Sequence, residues 1–350
     1  MAYTTIDDPT IYFNTKLYTG NGTAIGSGGN AITGVGFQPD WVWIKSRTQA
    51  EEHEVFDAVR GVTKYIRPST TAAEVTDSES LTAFGADGFT VGDHGQINAN
   101  SQSFVSWNWK AGTSFSNDAS ATGVGTIDST GSINTTAGFS IISYSGTGTA
   151  GTIAHGLGST PKMIIVKVRN FVTNWIVHHG SIASTKVLHI DTTNAETTND
   201  AFNDTLPTSS VFSVKTANGI NASGKTYIAY CFADVKGYSK FGKYTGNGNA
   251  DGTFVYTGFL PAFVLLKRTD SDNWWHIFDN KRDAFNLTDT VLYPNKNNAE
   301  STIILGDMLS NGFKLRQTDA DVNLSGSPYI YMAFAESPFT NSNGVPNNAR

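Results

Sequence analysis

The chain has 350 residues, a net charge of −6 and only 15% charged residues, with no Lys/Arg-rich run, so duplex nucleic acid is not an expected partner. No apolar run reaches the roughly 18 residues of a membrane-spanning helix, and the single cysteine, Cys231, excludes an intrachain disulfide and a Cys-based zinc site. Thirty-five glycines and 12% Phe, Tyr and Trp favour many short strands joined by tight turns over long surface helices.

Residues 1–17 lack the basic start and apolar core of a signal peptide, and they read as a leader that adds an edge strand. Tyr18-Thr-Gly-Asn-Gly22 follows, and it returns unchanged at Tyr244-Gly248 and nearly so at Tyr144-Gly148. After each copy a Pro opens an apolar strand: Pro39-Asp-Trp-Val-Trp-Ile44, Pro161-Lys-Met-Ile-Ile-Val166 and Pro261-Ala-Phe-Val-Leu-Leu266. Fourteen residues beyond each Pro lie His53, Trp175 and Trp275, and an Ala-Glu pair follows at Glu74, Glu196 and Glu300. Arg60–Tyr65 leaves room for one helical turn, and Asp87-Gly88 and Asn311-Gly312 are hairpin signals. Each unit closes on one more strand, ending at Trp109, Phe232 and Phe334, with Asn98, Asn221 and Asn323 eleven residues earlier. Asn suits a turn because it tolerates positive φ and bonds to nearby backbone.

A spacing kept three times implies one backbone geometry made three times. The expected fold is all-β, three tandem β-sandwich-like modules: 18–112, 139–237 and 238–339. Residues 113–138, rich in Ser, Thr and Gly, read as a loop or linker, and 340–350 as a tail.

Candidate chemistry is sparse. Gly146-Thr-Gly-Thr-Ala-Gly151 satisfies G-x-G-x-x-G, but a hairpin pattern and not a helix follows it, which argues against a phosphate loop. Asp319-Ala-Asp321-Val-Asn323 starts like a calcium loop, yet Leu324 and Ile330 stand where Gly and Glu are needed. His178 and His179 would point to opposite faces of a strand, and with His189 they read better as structural histidines than as metal ligands. The Trp positions exchange with other large apolar residues between units, as core positions do, and Cys231 reads as a small buried residue. Asp57 and Asp279 recur without a second carboxylate beside them, so no glycosidase pair is legible. No catalytic, cofactor-binding or metal residue is expected, and an enzyme is not. The turn holding Asn170, Phe171 and Val172 is the candidate contact surface for another subunit or a receptor, with packing on residues 113–138 as the alternative.

The stretch VRGVTKYIRPSTTAAEVTDSESLTAFGADGFTVG with NANSQSFVSWNWKAG, and the lead-in DDPTIYFNTKLYTGNG, resembles a repeat unit of marine tailed-phage structural proteins, cyanophages included. These are tail-fibre-like virion proteins with a domain of unknown function. The resemblance implies a virion component made in the host cytoplasm, most readily a tail fibre or appendage engaged in host attachment. A capsid decoration protein is the alternative, and a polysaccharide-cleaving tail enzyme is the alternative of another class. Implied partners are other virion proteins, a host surface glycan or protein, and further copies of the chain.

Overall fold

Side chains alternate faces along a strand, and in this chain both faces of the central strands are buried. The computed structural model describes residues 3–348. The first lobe contains β1 (Phe13–Thr19), β2 (Asn30–Thr33), β3 (Trp41–Ser46), β4 (Glu54–Asp57), β5 (Lys64–Tyr65), β6 (Val75–Thr76), β7 (Leu81–Gly85), β8 (Gly88–Val91), the helical turn α1 (Gly95–Asn98) and β9 (Ser103–Trp109). Next come β10 (Thr113–Asn117), α2 (Ala119–Thr122) and β11 (Ser129–Asn134). The second lobe runs through β12 (Phe139–Ser145), β13 (Gly151–Ala154), β14 (Met163–Val168), β15 (Ile176–His179), β16 (Lys186–Val187), β17 (Thr197–Thr198), β18 (Val211–Val214) and β19 (Thr226–Phe232). The third holds β20 (Ser239–Thr245), β21 (Phe254–Tyr256), β22 (Phe259–Arg268), β23 (His276–Asp279), β24 (Thr288–Val291), β25 (Ser301–Leu309), β26 (Gly312–Leu315) and β27 (Pro328–Pro338).

The fold is all-β, and its sheet ladders are antiparallel. Three inner sheets share one connectivity: β1-β9-β3-β4, β12-β19-β14-β15 and β20-β27-β22-β23. Each is backed by an outer sheet, β2-β8-β7, β13-β18 or β21-β26-β25-β24, which gives a sandwich-like lobe. In β3, Val42 and Ile44 face the lobe's own core with Phe56 and Phe89. Trp41 and Trp43 face the other way, into a core that draws on all three lobes. The pattern holds for Ile164 and Val166 against Met163 and Ile165, and for Val264 and Leu266 against Phe263 and Leu265. That double burial is why these strands read as unbroken apolar runs.

At the centre, Phe334 packs against Phe13 at 5.1 Å, Trp109 at 5.5 Å and Phe232 at 6.1 Å between ring centroids. Trp41 bridges to Tyr230 at 4.8 Å and Phe232 at 5.6 Å. Burying each such ring stabilises by about 1.5–3 kcal/mol, so the shared core holds the lobes as one body.

The edge strand expected of the leader is β1, which begins at Phe13 and flanks the first inner sheet. Two other expectations change. Residues 113–138 are not a loose linker: β10 and β11 extend the second inner sheet to six strands, β10-β11-β12-β19-β14-β15. Backbone pairing to β12 orders that segment, together with a few apolar anchors: Ile127 is buried in the second lobe's core, and Phe115 and Ile133 pack against it. Arg60–Tyr65 forms turns and β5 in place of a helical turn.

Candidate functional surface

The three lobes meet head to tail, and the recurring residues sit at the joints. Glu74 N donates to the Arg169 carbonyl (2.7 Å), Glu196 N to Thr269 (2.8 Å) and Glu300 N to Arg47 (2.8 Å). First lobe meets second, second meets third, and third returns to first. In two joints the Arg also grips the Glu bidentately: Arg169 on Glu74 at 2.9 and 2.9 Å, Arg47 on Glu300 at 2.7 and 2.8 Å. Arg268 is not their counterpart, since it stands seven residues after its Pro where Arg47 and Arg169 stand eight after theirs. Thr269 holds that position, and Arg268 turns to Asp270 at 2.6 Å.

Behind each joint lies the position shared by Asp57, His179 and Asp279. Asp57 accepts from Arg60 Nε at 2.5 Å and from the Tyr230 hydroxyl of the next lobe at 2.7 Å. Asp279 likewise accepts from Arg282 Nε at 2.5 Å and from Trp107 Nε1 at 3.0 Å. In the remaining joint the partner position is Met332, which donates nothing, and the Arg position is Ile182. A carboxylate there would be buried without a partner, and His179 stands in its place. Its Nε2 lies 3.2 Å from the Tyr331 carbonyl, which can only accept, and its Nδ1 accepts from Ser181 N, so the ring is neutral with the proton on Nε2. Burial pushes its pKa down to about 3. Burial opposes charge on Arg60, but Asp57, Tyr230 and Glu74 outweigh it and hold the guanidinium more firmly charged than usual.

A lysine stands six residues after each of Pro39, Pro161 and Pro261: Lys45, Lys167 and Lys267 are all fully buried. Pro39 and Pro161 precede their strands as expected, whereas Pro261 lies inside β22 at a break in the pairing register. Lys167 Nζ donates to the Thr71 and Thr173 carbonyls, and Lys267 Nζ to Thr193 and Asn273, each bridging a joint. Lys45 Nζ stays within its lobe, on Ser46 and Gln49. Burial lowers all three to about 8. The common spacing from Pro was the signal that could have found them.

The Tyr-x-Gly-x-Gly turns are clamps. Tyr18, Tyr144 and Tyr244 each donate to a carbonyl, of Ile97, Ile220 and Val322, at 2.7 Å. The side-chain oxygen of Asn98, Asn221 or Asn323 accepts from the backbone of Asn21, Thr147 or Asn247 at 2.9–3.0 Å. None of the three Asn residues adopts positive φ; the buried side-chain amide does the work instead. A Cβ on Gly20, Gly146 or Gly246 would sit 2.2–2.3 Å from a facing carbonyl oxygen, which explains the first glycine. The second, Gly22, Gly148 or Gly248, has φ of +61°, +72° or +64°.

These contacts dispose of the phosphate-loop geometry, since the amides of Gly146, Thr147 and Gly148 already bond to Lys225, Asn221 and Asn221. The segment is also not a hairpin: it carries the chain from β12 to β13 in another sheet. Asp319 and Asp321 serve the turn before Asn323, with Asp321 accepting from Asn273 Nδ2. His178 occupies the Phe56 and Phe278 position, 5.4 Å from the Phe202 ring, while His189 Nδ1 lies 2.7 Å from the Trp175 carbonyl. Among the described residues no group of three His, Cys, Asp or Glu is placed to hold a metal, and no helix is long and apolar enough to cross a membrane. Cys231 is buried, and burial pushes its thiol up to about 12.

The turn with Asn170, Phe171 and Val172 is exposed on a rigid mount. Arg169 and Thr173, at its ends, bond to Glu74 and Thr71 of the first lobe. Asn170 accepts from Thr226 N at 3.1 Å and donates to the Gly224 carbonyl at 3.3 Å. Phe171 is 36% exposed beneath Lys225 Nζ, 4.2 Å from the ring centroid, and Val172 is 63% exposed.

The three lobes and their joints also fall within one family boundary. A family described as Domain of unknown function (DUF7483) matches residues 8–338. The chain belongs to the DUF7483 family. No curated protein and no solved structure matches it. The DUF7483 match starts five residues before β1 and ends on the last residue of β27, so it takes in β10, β11 and all three inner sheets.

Proposed function

We propose that this DUF7483 chain is a structural protein of a bacteriophage virion, a tail-appendage component that takes part in attachment to the host surface. The observation that carries the reading is the one-piece body: three β lobes locked by a shared aromatic core and head-to-tail joints, with contact residues on turns outside that core. Such a body suits a role in which a fixed scaffold presents variable loops. The resemblance of residues 18–112 to tail-fibre-like repeat units supports the same role. Asn170, Phe171 and Val172 form the proposed contact surface, for a neighbouring virion protein or a host glycan or protein.

A cryo-EM map of the intact particle tests the placement, with the chain expected on the tail. Density over the head shell would replace this reading with capsid decoration. For the contact surface, Phe171→Asp is expected to keep its melting temperature and lose at least tenfold in affinity for particle or host envelope, the scale of one lost apolar anchor. Full affinity in a folded variant would remove the turn from the interface.

A further inference from the structure

A strand at the edge of a sheet offers unpaired N–H and C=O groups to another chain, and stable proteins usually guard such edges with charge, Pro or a bulge. Hydrogen bonding alternates along antiparallel strands, so the phase of each edge can be followed. Gly146 N donates to the Lys225 carbonyl, which turns the even residues of β12 toward β19 and the odd ones toward β11. Through the β11–β12 and β10–β11 registers, Thr113, Phe115 and Asn117 then bond to β11. The backbone groups of Ser114 and Ser116 point outward, and both residues are exposed.

The corresponding edges elsewhere are guarded. In β20, Phe241 N is taken by Asp234 Oδ1 at 2.8 Å, and exposed Lys243 stands beside it. In β1, Phe13 and Thr15 are buried, and Lys16 and Lys281 line the groove alongside. β10 has no charge, no Pro and no register break.

We propose that β10 is an interface with a second copy of this chain, the two β10 strands pairing antiparallel about a twofold axis at Phe115. A twofold interface must be self-complementary, and Ser114-Phe115-Ser116 reads the same in both directions. In that register Ser114 faces Ser116 of the second copy, no like charges oppose, and the two pairs make four backbone hydrogen bonds. A groove of about 440 Å³ lies over the β10–β11 face that carries Ser114, Ser116, Thr130 and Ser132, with Ala58 and Val59 also on its border. The proposal does not depend on the virion reading.

Sedimentation equilibrium of the full chain is the test, from about 1 μM to about 1 mM, since so small an interface belongs to the weak class. The mass should rise from the 37.5 kDa of one chain toward twice that value. Hydrogen exchange should show the Ser114 and Ser116 amides gaining protection over the same range. The double variant Ser114→Lys/Ser116→Lys sets Lys against Lys twice and should weaken association at least tenfold, with circular dichroism and melting temperature unchanged. A mass fixed at one chain, or association that leaves both amides unprotected, would overturn the proposal without reliance on the variant.

Discussion

His178 offers the sharpest test of how this fold balances polarity against packing. It is 1% exposed, neither ring nitrogen has a hydrogen-bond partner among the described residues, and the equivalent positions hold Phe56 and Phe278. Replacing it with Phe should stabilise the protein at pH 7 by about 1–3 kcal/mol, the usual cost of a buried unsatisfied polar group. The variant should also remove an acid sensitivity. Burial lowers the His178 pKa from 6.5 to about 4. Between those values the unfolded chain binds a proton that the folded chain does not, so stability falls as pH drops through the window. At pH 4.5 the loss comes to about 2.5 kcal/mol. Urea denaturation of wild type and His178→Phe at pH 7 and pH 4.5 should show a gap that favours Phe and widens by that amount in acid. A destabilised variant at pH 7, or a gap that does not widen, would refute this reasoning.

Other consequences can be checked with the same melts. Asp57→Asn strips the counter-charge from fully buried Arg60 and should cost about 3–5 kcal/mol; a cost below about 1 kcal/mol would deny the joint its ion pair. Asn221→Ala removes bonds to Thr147, Thr149 and Lys215 and should cost about 2–4 kcal/mol in thermal unfolding. His94 lies between Glu54 at 3.0 Å and Asp77 at 2.8 Å. Burial opposes its charge, but these carboxylates prevail and raise its pKa, so its contribution is full below the unfolded pKa and is lost as pH rises through the folded one. His94→Gln should therefore be more harmful at pH 6 than at pH 8.5, by about 1 kcal/mol given the solvent that reaches the ring. An isolated third lobe, residues 238–339, leaves Phe263, Leu265, Met332 and Phe334 without their cover and should be insoluble or unfolded by circular dichroism.

The strands and the core were legible because burial writes itself into sequence. Pro39, Pro161 and Pro261 mark strands whose two apolar faces meet two different cores, and Trp109, Phe232 and Phe334 mark the strand that closes each inner sheet. Which lobe touches which was not legible. Glu74 gives no sign that its partner is Arg169, ninety-five residues on, nor that Asp57 will meet Tyr230. The Ser/Thr/Gly segment failed for a related reason: β10 and β11 are held by backbone pairing and by isolated anchors such as Phe115 and Ile133, too few to leave an apolar period to read. The Asn landmarks act through the side-chain amide and not through positive φ, which residue type and spacing alone do not distinguish. Phe171 stands out in the sequence as an apolar residue in a turn, but its anchors, Thr226 N and the Gly224 carbonyl on Asn170, lie more than fifty residues away and leave no local sign.

The joints carry one more implication. Two are laced with Arg and carboxylate, and one is closed by Ile182, His179 and Met332. A ring of three separate, identical chains could not do this, because every substitution would appear at all three joints at once. Placing the lobes on one chain frees each joint, and each outer loop, to drift by itself. The apolar pair Phe171 and Val172 occurs on one lobe only; the matching positions on its sisters are Gln49-Ala50 and Ser271-Asp272. A body with near-threefold architecture can thus keep one face unlike the others, and so have a front.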